Sequence, residues 1–188
     1  RISDFKLPQL PQLDAVSHLD QNFAGEKIPA LDSVFEVVGT KAFINVELTN
    51  YATPRDGLNE HIAELVIRHN LMKNVIFSSF LPDNLRKMAR LLPDVPRALL
   101  TVRGILGIIQ RSFIVEWNTS YQAVNPDYRD TTPGLVNAAH RKGRRVNVYT
   151  VNDPQEIQRL AEIGVDGIFT DDVLTSERVL IEYRKSAI

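Results

Sequence analysis

Short apolar runs rich in β-branched and aromatic residues alternate along this chain with segments whose apolar positions recur at helical spacing. "AFINVEL" (42–48) reads as a strand, and "LNEHIAELVIRHNLM" after the next polar loop reads as a helix. "NVIFSSF" then precedes "LPDNLRKMARLLP", and "RALLTV" precedes "GILGIIQRSFIVEW". "QAVNP" precedes "TPGLVNAAHRKG", "RRVNVYTVN" precedes "DPQEIQRLAEIG", and "DGIFTDD" precedes "VLTSERVLIEYRKS". These are six strand–helix units after a Pro-rich lead-in (1–31). The boundaries have physical causes. Leu85, Met88, Ala89 and Leu92 form one apolar helical stripe. Asp153 is placed to cap a helix, with Pro154 in its first turn and Glu156 three residues on. Gly143 and Gly164 follow helices, where a left-handed residue is needed.

Such alternation implies a parallel sheet with helical crossovers, as an open doubly wound sheet or a (β/α)8 barrel. No Gly-rich dinucleotide or phosphate loop follows any strand. Polar residues cluster instead at the carboxyl ends: Glu47, then Ser78 and Ser79, Thr101, Asn125, Thr150 and Asn152, and Thr170, Asp171 and Asp172. In a barrel these converge on one mouth; in an open sheet only those near a switch point would. The expected fold class is therefore α/β, an incomplete TIM (β/α)8-type barrel of about six β/α units with parallel strands, forming one domain over 1–188.

The totals narrow the function classes. A chain of 188 residues can bury one real core. A net charge of −1 gives no global field toward nucleic acid or an anionic membrane. The basic cluster Arg141, Lys142 and Arg144 reads as the solvated end of a helix. With no cysteine there is no disulfide, thiolate metal site or cysteine nucleophile. No run reaches the length of a membrane span. No signal peptide is visible, which favours the cytoplasm, and the lack of an initiator Met suggests a start partway through a longer protein.

Glu47 poses the chemical question. A carboxylate at the end of an apolar strand must be solvated, paired with a basic neighbour, or bound to a cation. Ser78 and Ser79 read either as hydrogen-bond fillers of a barrel interior or as substrate contacts. Asn152 reads as a helix cap or a site residue. Asp171 and Asp172 read mainly as capping or solvated groups. The segment Gly104–Trp117 carries Ile105, Leu106, Ile108, Ile109, Phe113, Ile114, Val115 and Trp117. It reads as a helix packed on the barrel, or as a lipid-facing lip beside the mouth.

"KIPALDSVFEVVG", "INVEL", "VIFSSF" and the long stretch "AVNP…LVNAAHRKGRRVNVYTVNDPQEIQRLAEIGVDGIFTDD" together resemble the glycerophosphodiester phosphodiesterase family over almost the whole chain. "VYTVNDP" followed by "GVDGIFTD" is the most specific combination. The resemblance implies a (β/α)8 barrel and metal-dependent hydrolysis of a small-molecule glycerophosphodiester to glycerol 3-phosphate and an alcohol. It implies a divalent cation (Ca²⁺ or Mg²⁺), with Glu47 as one of three carboxylate ligands. It also implies substrate contacts at Ser78, Phe80, Asn125, Tyr149 and Asn152.

Family members begin with a His-Arg-Gly strand, a Glu-x-Asp strand and a His-Asp pair, none of which occurs here. The other two carboxylates and the acid and base histidines would lie in those motifs. His18, His61, His69 and His140 read as ordinary packing or surface histidines. Thr49 stands where the family commonly has Lys, and Tyr149 where it often has Trp. This chain alone is therefore expected to be inactive or nearly so. The alternative is a non-catalytic barrel-fragment scaffold that binds a ligand or self-associates through its open sheet edges.

Overall fold

A computed structural model describes residues 5–16, 21–111 and 119–186. The six expected strands all form: β1 Ile44–Glu47, β2 Val75–Ser79, β3 Arg97–Thr101, β4 Ala123–Pro126, β5 Arg145–Val148 and β6 Gly167–Ile168. Each pairs in parallel with the next, so spatial order equals sequence order. The helices between and around them are α1 Leu31–Val38, α2 Leu58–Arg68, α3 Pro82–Leu91, α4 Ile105–Gln110, α5 Pro133–Arg141, α6 Pro154–Glu162 and α7 Val173–Ser186.

Strand alternation divides the sheet into two faces. Val46 and Phe77 point to the helices and pack with Ile62, Val66 and Met88. Val124, Val146 and Val148 do the same with Val136, Ile157 and Leu160. Leu99 sits between these two clusters, against Leu85 and Tyr121. Each such side chain, fully buried, contributes about 1.5–3 kcal/mol. Phe43 departs from the expected buried strand: β1 starts one residue later, and Phe43 is 81% exposed beside the edge strand.

The sheet is strongly curled. Phe80, just past β2, meets Tyr149, just past β5, with ring centroids 6.0 Å apart. In a flat sheet those strands would lie about 14 Å apart, three inter-strand spacings. The Tyr149 hydroxyl also reaches across β4 to donate to the Thr101 carbonyl at 2.7 Å. This closure removes the open doubly wound alternative and gives a half-barrel with helices outside.

Local signals act largely as expected. The Asp153 side chain accepts from Gln155 N and starts α6 behind Pro154. Gly143 and Gly164 take φ of +67° and +81° after α5 and α6. Buried Arg97 opens β3 and donates to the carbonyls of Leu92, Pro93, Val95 and Ser120, tying the end of α3 to the sheet. The expected helix after β3 is described only as α4; Phe113, Ile114, Val115 and Trp117 lie outside the described residues, as does His18.

Candidate active site

The carboxyl ends of the strands carry the chemistry. The polypeptide leaves β1 at Glu47 and turns through 48–57 before α2 begins. A buried polar network fixes that turn. Ser79 Oγ donates to Leu48 O at 2.9 Å, and Asn84 Nδ2 donates to Asn50 Oδ1 at 2.8 Å. Asn50 Nδ2 donates to Asp56 Oδ1 at 2.9 Å, and Asp56 also receives Thr53 Oγ1 and Leu58 N. These donors hold the Asp56 carboxyl below the usual carboxylate range, hydrogen bonds from Thr53 and Asn50 first.

The turn delivers Tyr51 back over the strand end. Its hydroxyl donates to Glu47 Oε1 at 2.7 Å, and its ring meets Phe80 edge to face at 6.0 Å. Tyr51, Phe80 and Tyr149 thus form a continuous aromatic wall beside the carboxylate. Burial, then the hydrogen bond to Glu47 and its charge, push the Tyr51 phenol well above its ordinary pKa. Burial pushes Tyr149 up to about 12, helped by the charges of Asp127 and Glu47. Both rings therefore stay neutral donors across physiological pH.

One cavity at this mouth is lined by Asn45, Glu47, Phe80, Leu100, Tyr149, Thr150 and Phe169. It gathers residues from β1, β3 and the ends of β2, β5 and β6. Of the expected site residues it unites Glu47, Phe80 and Tyr149. Ser78 is fully buried on the inner face, its Oγ without a hydrogen-bond partner among the described residues. Asn125 is buried too and accepts from Asn147 Nδ2 at 3.4 Å. Asn152 ties the end of β5 to that of β6: its Oδ1 accepts from Asp171 N and Thr170 Oγ1, and its Nδ2 donates to Asp171 Oδ2. It is not the cap of α6, which is Asp153. Asp172 caps α7 by accepting from Thr175 N, while Ser79 is a hydrogen-bond filler. Thr49 is exposed beside the mouth.

The sequence profile of the Glycerophosphoryl diester phosphodiesterase family matches residues 1–175. This chain belongs to that family. A glycerophosphodiester phosphodiesterase of Caldanaerobacter subterraneus subsp. tengcongensis is 31% identical over 172 residues, covering 91% of this chain and 69% of the relative. A crystal structure of a glycerophosphodiester phosphodiesterase from Parabacteroides distasonis superposes with a TM-score of 0.78 at 22% identity, over 97% of this chain and 72% of that one. An Oleispira antarctica phosphodiesterase in complex with the product sn-glycerol-3-phosphate superposes with a TM-score of 0.75 at 22% identity, over 96% and 72%. These likenesses to solved structures show the barrel-type fold.

Glu47 offers a hard carboxylate at the mouth, with Oε1 already accepting from Tyr51. Among the described residues no three His, Cys, Asp or Glu side chains come together. One carboxylate does not make a complete divalent site. The described histidines lie elsewhere: His69 Nε2 is 2.7 Å from Asp32 Oδ1, His140 Nε2 is 2.8 Å from Asp166 Oδ2, and His61 is exposed on α2. None lines the mouth cavity.

Tyr51, Asn45 and Phe169 were missed by sequence reasoning. Asn45 could have been found, because period-two alternation puts it on the face of Glu47. Phe169 lies in the quoted "GVDGIFTD" but no local signal marks it as a wall residue. Tyr51 is placed by the tertiary network under its loop, which no spacing rule reports.

Proposed function

We infer that this chain is part of a glycerophosphodiester phosphodiesterase, a phosphoric diester hydrolase that releases glycerol 3-phosphate and an alcohol. The observation that carries the reading is a mouth cavity joining the Glu47 carboxylate to the Phe80 and Tyr149 rings, in a chain of this family. In the reaction, water forms a new P–O bond, the P–O bond to the alcohol breaks, and a proton from water ends on the leaving alkoxide. The aromatic wall suits the C–H faces of a glycerol unit, and the neutral phenols exclude water from one side. The product complex of the Oleispira relative supports a ligand of this class.

Glu47 would contribute one oxygen ligand to a divalent cation such as Ca²⁺ or Mg²⁺, whose role is to neutralise phosphoryl charge. Ser78, Asn125 and Asn152 fit this reading as supports of the pocket wall and floor. The 188-residue chain alone should release glycerol 3-phosphate from glycerophosphocholine at no more than a residual rate, since His-Arg-Gly and Glu-x-Asp are absent from it. Normal turnover by this chain would end the claim that those motifs are required. If the coding sequence upstream of Arg1 supplies them, the longer polypeptide should be active. Glu47→Gln should then lower its kcat/KM on the order of a hundredfold.

A second reading has its own observation. β1 and β6 are the two edges of the described sheet, and Phe43 stands exposed beside β1. Such an edge pairs readily with another strand, and a scaffold that self-associates there would need no catalysis. A concentration-dependent dimer in sedimentation velocity would favour it; a monomer throughout would dismiss it.

A further inference from the structure

Helix α4 is built inside out. At 100° per residue, Ile108, Ile105, Ile109 and Leu106 sweep one continuous arc, and Gln110 and Gly107 take the remaining side. That remaining side faces the protein. Gly107 is buried against the chain, and a Cβ there would fall 1.8 Å from Val102 O. Gln110 Oε1 accepts from Val102 N at 2.8 Å, and Arg111 Nη1 donates to Thr101 Oγ1 at 2.7 Å. The aliphatic arc is left outside: Ile105, Leu106, Ile108 and Ile109 are 76%, 66%, 62% and 55% exposed. A surface helix in water has the opposite polarity, and a contiguous aliphatic patch marks contact with an apolar medium or partner.

Place and charge select the occupant. α4 begins four residues after Thr101, at the mouth rim, and it follows a central strand. A strand added at the β1 or β6 edge therefore lies away from it. From Arg97 to Arg111 the sequence has no acidic residue, and exposed Arg103 immediately precedes the arc. Two carboxylates stand nearby: Asp130 accepts from Gly104 N, and Asp127, which feels the Arg103 charge, is already ion-paired with Arg129. An aliphatic arc bordered by an exposed guanidinium fits a surface that presents phosphates above hydrocarbon.

We propose that α4 docks on a phospholipid bilayer, its aliphatic arc entering the headgroup–acyl boundary and Arg103 lying at the level of the phosphates. No described helix is long and apolar enough to cross a membrane, so the contact is peripheral. It holds the mouth rim at a lipid surface, whatever the catalytic state of the chain.

The test uses the 188-residue chain and sucrose-loaded vesicles of phosphatidylcholine and phosphatidylglycerol in equal parts. The chain should pellet with the vesicles. Ile105→Ser with Ile109→Ser should lower the partition coefficient roughly tenfold or more, as two aliphatic side chains no longer enter the boundary. Both residues are exposed, so the variant should keep the circular dichroism and urea midpoint of the parent. A chain that stays in the supernatant overturns the proposal, as does a variant that partitions within twofold of the parent. A vesicle-free dimer that the variant dissolves also overturns it, because the arc would then pair two copies.

Discussion

Replacing Asn84 with Ala should test whether the buried network under the mouth holds the turn that carries Tyr51. Asn84 is fully buried near the start of α3. Its Nδ2 donates to Asn50 Oδ1 at 2.8 Å and Ser79 Oγ at 3.2 Å, with Leu48 O at 3.4 Å. Only the Asn50 bond would leave a buried acceptor stripped, because Leu48 O keeps the donation from Ser79. That costs about 1–3 kcal/mol. The lost carboxamide volume adds roughly 1 kcal/mol if the site does not collapse. Asn84 Oδ1 has no partner among the described residues, so removing it offsets part of the loss. The net expectation is about 2–3 kcal/mol, a large share of a stability of roughly 5–15 kcal/mol. Urea unfolding should show a lower midpoint with an unchanged slope. The double variant with Asn50→Ala should lose less than the two singles summed, and the coupling should exceed about 0.5 kcal/mol. A loss under about 1 kcal/mol, or strict additivity, would refute the reasoning that this amide pair fixes the 48–57 turn.

Two further outcomes follow from the site and its rim. Tyr149 ionises near 12 in the folded chain and near 10 when unfolded, so its contribution is fully present below pH 10 and is lost as pH rises from about 10 to 12. Tyr149→Phe should flatten that alkaline limb in a pH series of urea midpoints, and an unchanged limb would count against it. Gly107→Ala puts a methyl into Val102 O, so α4 must lift from β3. Hydrogen exchange at Val102 N should then accelerate at least tenfold, and native protection there would show that α4 is not seated by this glycine.

The barrel was legible because two periodicities alternate cleanly. Outward Val46, Phe77, Leu99, Val124 and Val148 read as period two, and the following segments read as helices closed by Gly143 and Gly164. The lining of the mouth cavity was legible to the extent that polar and aromatic residues sit at strand ends, as Glu47, Phe80 and Tyr149 do. Asn152 was ambiguous because one amide can serve a cap or a cross-strand tie, and only the position of Asp171 decides it. Ser78 stayed open between filler and contact because a strand-end serine can serve either; it is buried on the inner face, while Phe80 two residues on lines the cavity. Tyr51 was illegible because it reaches Glu47 through a loop shaped by Ser79, Asn84 and Asp56, with bonds that join residues up to 34 positions apart in sequence. Phe43 failed for the opposite reason: local composition favours a strand, but the pairing starts at Ile44.

The strict β1-β2-β3-β4-β5-β6 order has a consequence for how the chain is assembled. Among the described strands none waits for a later one to fill a gap beside it, so each unit can dock as it leaves the ribosome. Loop closures stay short, because every new strand pairs with the one made just before it. Growth of such a sheet is additive, and a unit joined at an edge lengthens the arc without rethreading anything already in place.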